Sequence, residues 1–582
     1  MNYKKLVEVY EKLEKTSKRL KKTHIISQFL NEADIDSLPM VTLLLQGKLY
    51  ANWDDNKLGV ASRIILKAIN LSTGISKIEE EWKKTGDLGI AAQNMIGKKK
   101  QSTLFHHDLT IKKVFSNLRK LATLTGYGTV DKKVQLISEL LTSADSTEAK
   151  YIVRSVLEEL RVGVGEGSLR DAIVWAFFKD KIGLSYIENE NQVDVKDRIT
   201  YDEYVSAVQR AYDLSNDFGL VAQTSKKHGL EGLKKIDMEL FKPIKVMLAL
   251  KVPDPETGFD RCGKPAACEY KLDGFRIQAH NNSGQIKIYT RRLEDVTAQF
   301  PEIVAYLKKN IAGNNYIFDS EAVGFDPKTK KYLPFQKISQ RIKRKYNINE
   351  MSSKFPVELN IFDILYYDGK NLLDEPLEKR RGLLEKIVNP VPKKIVLVKN
   401  LITSSINEVE DFYHSSLDAG NEGIMMKNLK APYKPGARVN FMVKLKPVME
   451  TLDLVIVAAE WGQGKRSNWL SSFTLACIND DGNYLEIGKV GTGIKETTEL
   501  GVSFAQLTEE LKPLIISEKG KEVRLRPIVV VEIDYEEIQK SPTYSSGYAL
   551  RFPRLKALRL DRNASEISTI GMVEDFYYGQ NK

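Results

Sequence analysis

The spacing of apolar residues changes near residue 240, and this change limits what the chain can fold into more than any other feature. Up to about residue 235, apolar residues recur every three or four positions. Leu6, Val9, Tyr10 and Leu13 show the pattern, as do Val134, Leu136, Ile137, Leu140 and Leu141. That period predicts helices with one buried stripe. Glycine clusters at Gly126-Tyr127-Gly128 and Gly163-Val164-Gly165-Glu166-Gly167 punctuate them. The segment Val252 to Gly258 reads as a loop. Beyond it the alternation becomes that of strands, first in AACEYKLDGFRIQAH and then in QIKIYTRR. Asn281-Asn282-Ser283-Gly284 lies between them and predicts a hairpin turn. Further strand-like runs and helical stretches continue to about residue 447, and from 448 onward the runs are mostly strands.

A chain of 582 residues is too long for one core. The expected fold class is therefore multidomain, α + α/β + β: helical residues 1–235, a mixed domain with antiparallel sheets over 236–447, and a small barrel of the OB type over 448–582. With 42% apolar and 28% charged residues, the composition is that of a globular protein and excludes a disordered one. Lys and Arg number 88 against 77 Asp and Glu, an excess that favours a polyanionic partner because cations on phosphates release counterions. Cys262, Cys268 and Cys477 have neither zinc-type spacing nor an even count, so reduced thiols are expected. No apolar signal core opens the sequence, and no run approaches a membrane span. A cytoplasmic monomer with no membrane partner is the expectation.

The segment with most chemistry is Glu269-Tyr270-Lys271-Leu272-Asp273-Gly274-Phe275-Arg276. Lys271 ends a strand-like run before a turn-forming pair, so it can face a pocket. A protonated lysine, with an ordinary pKa of ~10.4, is a poor nucleophile, and burial or nearby cations free its amine. Arg276, Arg291, Arg438, Lys444 and Lys446 supply such cations and could neutralise a triphosphate. Taken alone, K-x-D-G is more often a surface hairpin.

The rest of the sequence shifts that balance. EYKLDGFR resembles the adenylation motif K-x-D-G-x-R of the covalent nucleotidyltransferases: DNA ligases, RNA ligases and capping enzymes. Segments resembling their other motifs follow in order: Thr290-Arg291, Phe318-Asp319-Ser320-Glu321, Ile361-Phe362-Asp363, Glu422 to Lys427, and Lys444-Leu445-Lys446-Pro447. ELRVGVGEGSLRDAI, EWGQGKR and SPTYSSGYALRFPRLKALRLDR narrow the resemblance to archaeal and eukaryotic ATP-dependent DNA ligases, over essentially the whole chain. It implies that Lys271 takes AMP from ATP as a covalent intermediate. Glu269 would accept a hydrogen bond from the adenine amine, and Phe362 would stack on the base. Arg276 and Arg291 would contact ribose and phosphate, and Arg438, Lys444 and Lys446 the phosphates. Glu321 would bind ribose or a divalent ion, and Glu422 would be a second metal carboxylate, for Mg²⁺ or Mn²⁺. The implied activity is sealing nicks in duplex DNA during replication, repair and recombination, with a sliding clamp as a candidate partner. Each residue also has a bland reading: Phe362 as core, Glu321 and Glu422 as solvated carboxylates, Arg438 as part of a loop.

Two positions depart from the family pattern. Arg562 stands for the lysine that ends R-x-D-K, and Met442 for a tryptophan before L-K-x-K. Helices after the two glycine clusters would offer free backbone N–H groups to DNA phosphates, with Lys132, Lys133, Arg161 and Arg170 nearby. Residues Gln340 to Tyr346 form a basic patch that either touches DNA or is a solvated helix face. Gly258 to Pro265 nearly matches a phosphate-binding loop, but Pro265 replaces its hydroxyl residue. The competing readings are an RNA ligase or capping-type guanylyltransferase, and a DNA-binding scaffold without chemistry.

Overall fold

Helices form where the period of the early sequence places them. The computed structural model describes residues 1–54, 56–98, 108–342, 344, 346–447, 449–463, 466–496 and 501–580. Asn2 caps the first helix, Tyr3–Glu14, by accepting from the Lys4 backbone N–H. A reciprocal capping box of Asp145 and Glu148 opens Ser146–Val156. The stripe of Leu6, Tyr10 and Leu13 packs into one core with Val134, Ile137, Leu140 and Leu141. One element departs from the helical expectation, an antiparallel hairpin of β1 (Leu184–Ile187) and β2 (Gln192–Val195).

The chain divides into two compact units: Met1–Phe412 with Ile424–Leu445, and Tyr413–Gly423 with Lys446–Lys582. Beyond its helices and the β1–β2 hairpin, the described residues of the first unit form two larger sheets. Its strands are β3 (Leu248–Val252), β4 (Ala266–Lys271), β5 (Phe275–Asn282), β6 (Gln285–Thr290), β7 (Asn315–Gly324), β8 (Val357–Tyr367), β9 (Lys370–Asn371), β10 (Ile395–Leu397), β11 (Asn400–Thr403), β12 (Gly423–Asn428) and β13 (Arg438–Leu445). One sheet runs β10-β8-β7-β5-β6, with β9 beside β8, and the other runs β11-β4-β12-β13-β3. β10–β8 and β13–β3 pair in parallel, whereas β11–β4, β12–β13, β5–β6, β5–β7, β7–β8 and β8–β9 pair antiparallel. Ile277, Phe318, Leu359 and Ile361 bury the inner face of the first sheet.

The run AACEYKLDGFRIQAH is thus not one strand. It breaks after Lys271, and the chain crosses from one sheet to the other before Phe275. At the crossing, a Cβ on Gly274 would lie 2.4 Å from the Ala322 carbonyl oxygen and 3.0 Å from Glu321 Cγ. Only glycine lets the chain pass this close to β7. The expected hairpin is β5–β6, turned at Ser283 (φ 50°) and Gly284 (φ 90°). The stretch read as a loop at Val252 to Gly258 contains a helix start instead. Asp254 caps Pro255–Cys262 by accepting from the Thr257 N–H, and Pro255 stands where a helix tolerates proline. The local turn residues had masked this cap signal.

The second unit is the expected C-terminal sheet domain. Its strands are β14 (Leu452–Trp461), β15 (Leu470–Ile478), β16 (Tyr484–Val490), β17 (Ile515–Lys519), β18 (Glu522–Leu525), β19 (Val530–Asp534), β20 (Glu537–Lys540), β21 (Tyr548–Arg551) and β22 (Arg554–Leu558). β14 pairs β15 along one edge and divides its other edge between β18 and β19. Leu454, Ile456, Phe473, Leu475, Val531 and Ile533 form the core. Among the described residues, no helix is long and apolar enough to cross a membrane.

Candidate active site

Lys271 is the last residue of β4, half-buried where the chain leaves that strand. Alternation along β4 puts Glu269 on the same side and Tyr270 on the other. Tyr270 packs its ring 4.7 Å from that of Phe412, under the ammonium of Lys399. Glu269 is 3% exposed and pairs with Lys427 of β12, Nζ to Oε2 at 2.5 Å. The same ammonium lies 5.0 Å from the ring centroid of Phe362, on β8 in the other sheet. The Arg276 guanidinium also lies 5.0 Å from that centroid. Glu269 and Arg276, from one motif, and Phe362, from another, therefore converge: Lys427 links Glu269 to the Phe362 ring, and Arg276 meets the same ring. The sequence reading quoted Lys427 without assigning it a role.

Arg276 faces β7 in register with Glu321. Its guanidinium pairs with the fully buried carboxylate of Asp319 and donates to Tyr433 Oη at 3.1 Å. Tyr433 in turn donates to Asp319 at 2.5 Å. Burial works against the charge on Arg276, but Asp319 outweighs it and raises the pKa. Burial, reinforced by Asp319, pushes the Tyr433 hydroxyl far above its ordinary range. Gln278 donates to Asp319 at 3.2 Å and lies 3.0 Å from His280 Nε2. His280 Nδ1 accepts from the Phe241 N–H at 3.0 Å, which leaves the ring proton on Nε2. Burial lowers the pKa of His280 to about 3, so the ring is neutral. Asp319, Tyr433, Gln278 and His280 escaped the sequence reading. Asp319 lay within a quoted motif, but nothing local marks its partner Tyr433, 114 positions away.

The remaining cations are more dispersed. Arg291 follows β6, is exposed, and lines a cavity of about 390 Å³ with Arg292, Lys245, Asn52 and Gly436. Arg438 is exposed at the start of β13, and Lys444 lies further along it, opposite Met425. In the second unit, Lys446 is paired with Glu422 at 2.5 Å and with Glu536 at 3.6 Å. Met442 is buried with Met247, Tyr433 and Val439, so it fills core space. Among the described residues no group of three or more His, Cys, Asp or Glu could hold a metal ion. Mg²⁺ commonly needs only one or two carboxylates plus substrate phosphates. Glu321 fits that pattern, whereas Glu422 would first have to release Lys446.

The glycine clusters open two uncapped helices. Gly128 (φ 74°) precedes Thr129–Ser143, Gly165 precedes Glu166–Ile182, and neither helix has a side-chain cap. Lys132 is exposed, but Lys133 is buried and donates to the Leu58 carbonyl at 2.6 Å. Arg161 pairs with Asp87 and Glu159, and Arg170 with Asp171. In the basic patch, Arg341 is 1% exposed and paired with Glu302 at 2.7 Å, so it belongs to the core. Lys343 and Lys345 lie outside the described residues. Arg562 and Arg559 both reach Asp453 on β14, at 3.2 and 3.0 Å. All three cysteines are buried and free.

Comparison with known proteins defines the class first. Residues 246–446 match the family model described as ATP dependent DNA ligase domain. Residues 2–174 match DNA ligase N terminus, and 466–562 match ATP dependent DNA ligase C terminal region. A DNA ligase of Nanoarchaeum equitans is 46% identical over 99% of this chain and 98% of its own length. The DNA ligase of Thermococcus onnurineus is 40% identical over 100% and 99%, and that of Archaeoglobus fulgidus 41% over 99% and 98%. The solved structure named Pmar-Lig_Pre shares the fold over 95% of this chain and 99% of its own, with a TM-score of 0.56 and 17% identity. The chain belongs to the ATP-dependent DNA ligase family. It is a ligase enzyme that uses ATP and seals nicks in DNA.

Proposed function

We propose that Lys271 is the residue through which this ligase works. One observation carries the reading: Lys271 stands at the crossing between the two sheets, on the same side of β4 as buried Glu269. In the first step its Nζ attacks the α-phosphorus of ATP. The ammonium first yields one proton to become the attacking amine, an N–P bond forms, the P–O bond to pyrophosphate breaks, and the nitrogen loses a second proton; both protons pass to solvent. The second step moves AMP from Lys271 to the 5′-phosphate at a nick. In the third, the 3′-hydroxyl attacks that phosphorus, joins the strand and releases AMP.

The other residues bind and orient. Glu269 accepts from the adenine amine, and Phe362 stacks on the base at roughly 1–3 kcal/mol. Arg276, held by Asp319 and Tyr433, and exposed Arg291 serve the ribose and phosphates. Arg438 and Lys444, at opposite ends of β13, reach the phosphates, joined by Lys446 once it leaves Glu422. A Mg²⁺ or Mn²⁺ ion held by Glu321, and by Glu422 when free, would offset phosphate charge. Residues 1–235 bind duplex DNA, 236–447 carry the adenylation chemistry and 448–582 form an OB-fold. The protein acts as a cytoplasmic monomer in replication, repair and recombination, and a sliding clamp is a candidate partner. The test is label transfer. Label from α-labelled ATP, not GTP, should reach the protein and then nicked DNA in preference to nicked RNA. Equal use of GTP or RNA overturns the assignment.

A further inference from the structure

Lys427 is 6% exposed and Glu269 3%, so their ion pair is shut away from water. The ammonium takes Oε2 alone, and Oε1 has no hydrogen-bond partner among the described residues. The same ammonium stands 5.0 Å from the Phe362 centroid, the ring proposed to carry the base. Lys427 reaches Glu269 from β12, across the sheet from the strand that ends in Lys271. One cation thus ties together a strand, a carboxylate and an aromatic platform.

We propose that Lys427 is the positioning residue that sets the choice of donor base. By occupying Oε2 it leaves Oε1 as the single acceptor, turned along one direction. An acceptor there bonds the exocyclic amine of adenine and meets the 6-keto oxygen of hypoxanthine or guanine with repulsion. Without Lys427 the carboxylate is free to rotate, and a buried charge is left uncompensated. The inference rests on Glu269 reading the adenine amine, so the experiment separates the two ideas.

The measurement is kcat and KM for label transfer to the full chain from α-labelled ATP and from α-labelled inosine triphosphate. The variants are Lys427→Met, Lys427→Arg, Glu269→Gln and the double variant Glu269→Gln/Lys427→Met. Lys427→Met should raise KM for ATP about tenfold or more, with a smaller change in kcat, and lower the ATP preference by about the same factor. Lys427→Arg, which keeps the charge, should recover most of the preference. In the double variant Lys427→Met should add no loss beyond Glu269→Gln, because Lys427 acts through that carboxylate. The double variant leaves no unpaired charge in the interior, and in Glu269→Gln the amide oxygen still accepts from the Lys427 ammonium, so the comparison decides the matter even if Lys427→Met alone does not fold. A further loss of preference in the double variant overturns the proposal, as does full preference in a folded Lys427→Met. Unchanged preference in Glu269→Gln itself overturns the reading of Glu269, and the proposal with it.

Discussion

Arg276 cannot keep its place without Asp319. The carboxylate is fully buried and holds both the guanidinium and the Tyr433 hydroxyl. Asp319→Ala should therefore cost about 3–5 kcal/mol, read as a lower urea midpoint, because it strands a charge. A loss under about 1 kcal/mol would show that the network adds little. His280 makes a second prediction, with a definite sign. Its folded pKa is about 3 and its ordinary value 6.5, so between these values only the unfolded chain takes the proton. Its stabilisation is complete above about pH 6.5. It falls as pH drops toward 3, by up to about 1.4 kcal/mol per unit. Urea midpoints at pH 7.5 and 5 should diverge less in His280→Asn than in the native chain. Equal slopes in both would remove His280 as the source.

Elements show why some of this was legible and some was not. Periods of 3.6 and 2 are local, so the helices, most strands and the β5–β6 turn could be read directly. Glu269, Lys271 and Phe362 could be read because each sits in a short motif. The pairing of Glu269 with Lys427 spans 158 positions, and only the sheet order creates it. The sheet change after Lys271 was hidden because strand-like alternation continues on both sides of it. The short β1–β2 hairpin was lost among strongly periodic helices. The crossing itself is testable at Gly274. Gly274→Ala forces a methyl to within 2.4 Å of the Ala322 oxygen, so backbone must shift beside Lys271. Single-turnover adenylate formation should slow by about 100-fold, since a displacement near 1 Å can cost that much. An unchanged rate would show that the turn absorbs the methyl without moving the lysine.

At the scale of the whole molecule, 88 basic residues against 77 acidic ones favour a polyanionic partner. Arg161, Arg170 and Lys133 near the glycine clusters are already paired inside the helical region, so the proposed DNA contact falls to exposed cations such as Lys132. Affinity for a nicked duplex should fall steeply between about 50 and 200 mM salt, by several powers of ten if six or more phosphates are met. A flat titration would contradict binding through phosphate contacts. The most direct test remains the mass of the intact protein after incubation with ATP and Mg²⁺. The account predicts the mass of one adenylate added to the native chain, absent in Lys271→Ala, and lost when nicked DNA is supplied. An adduct that persists in Lys271→Ala, or a native chain that never gains one, would contradict it.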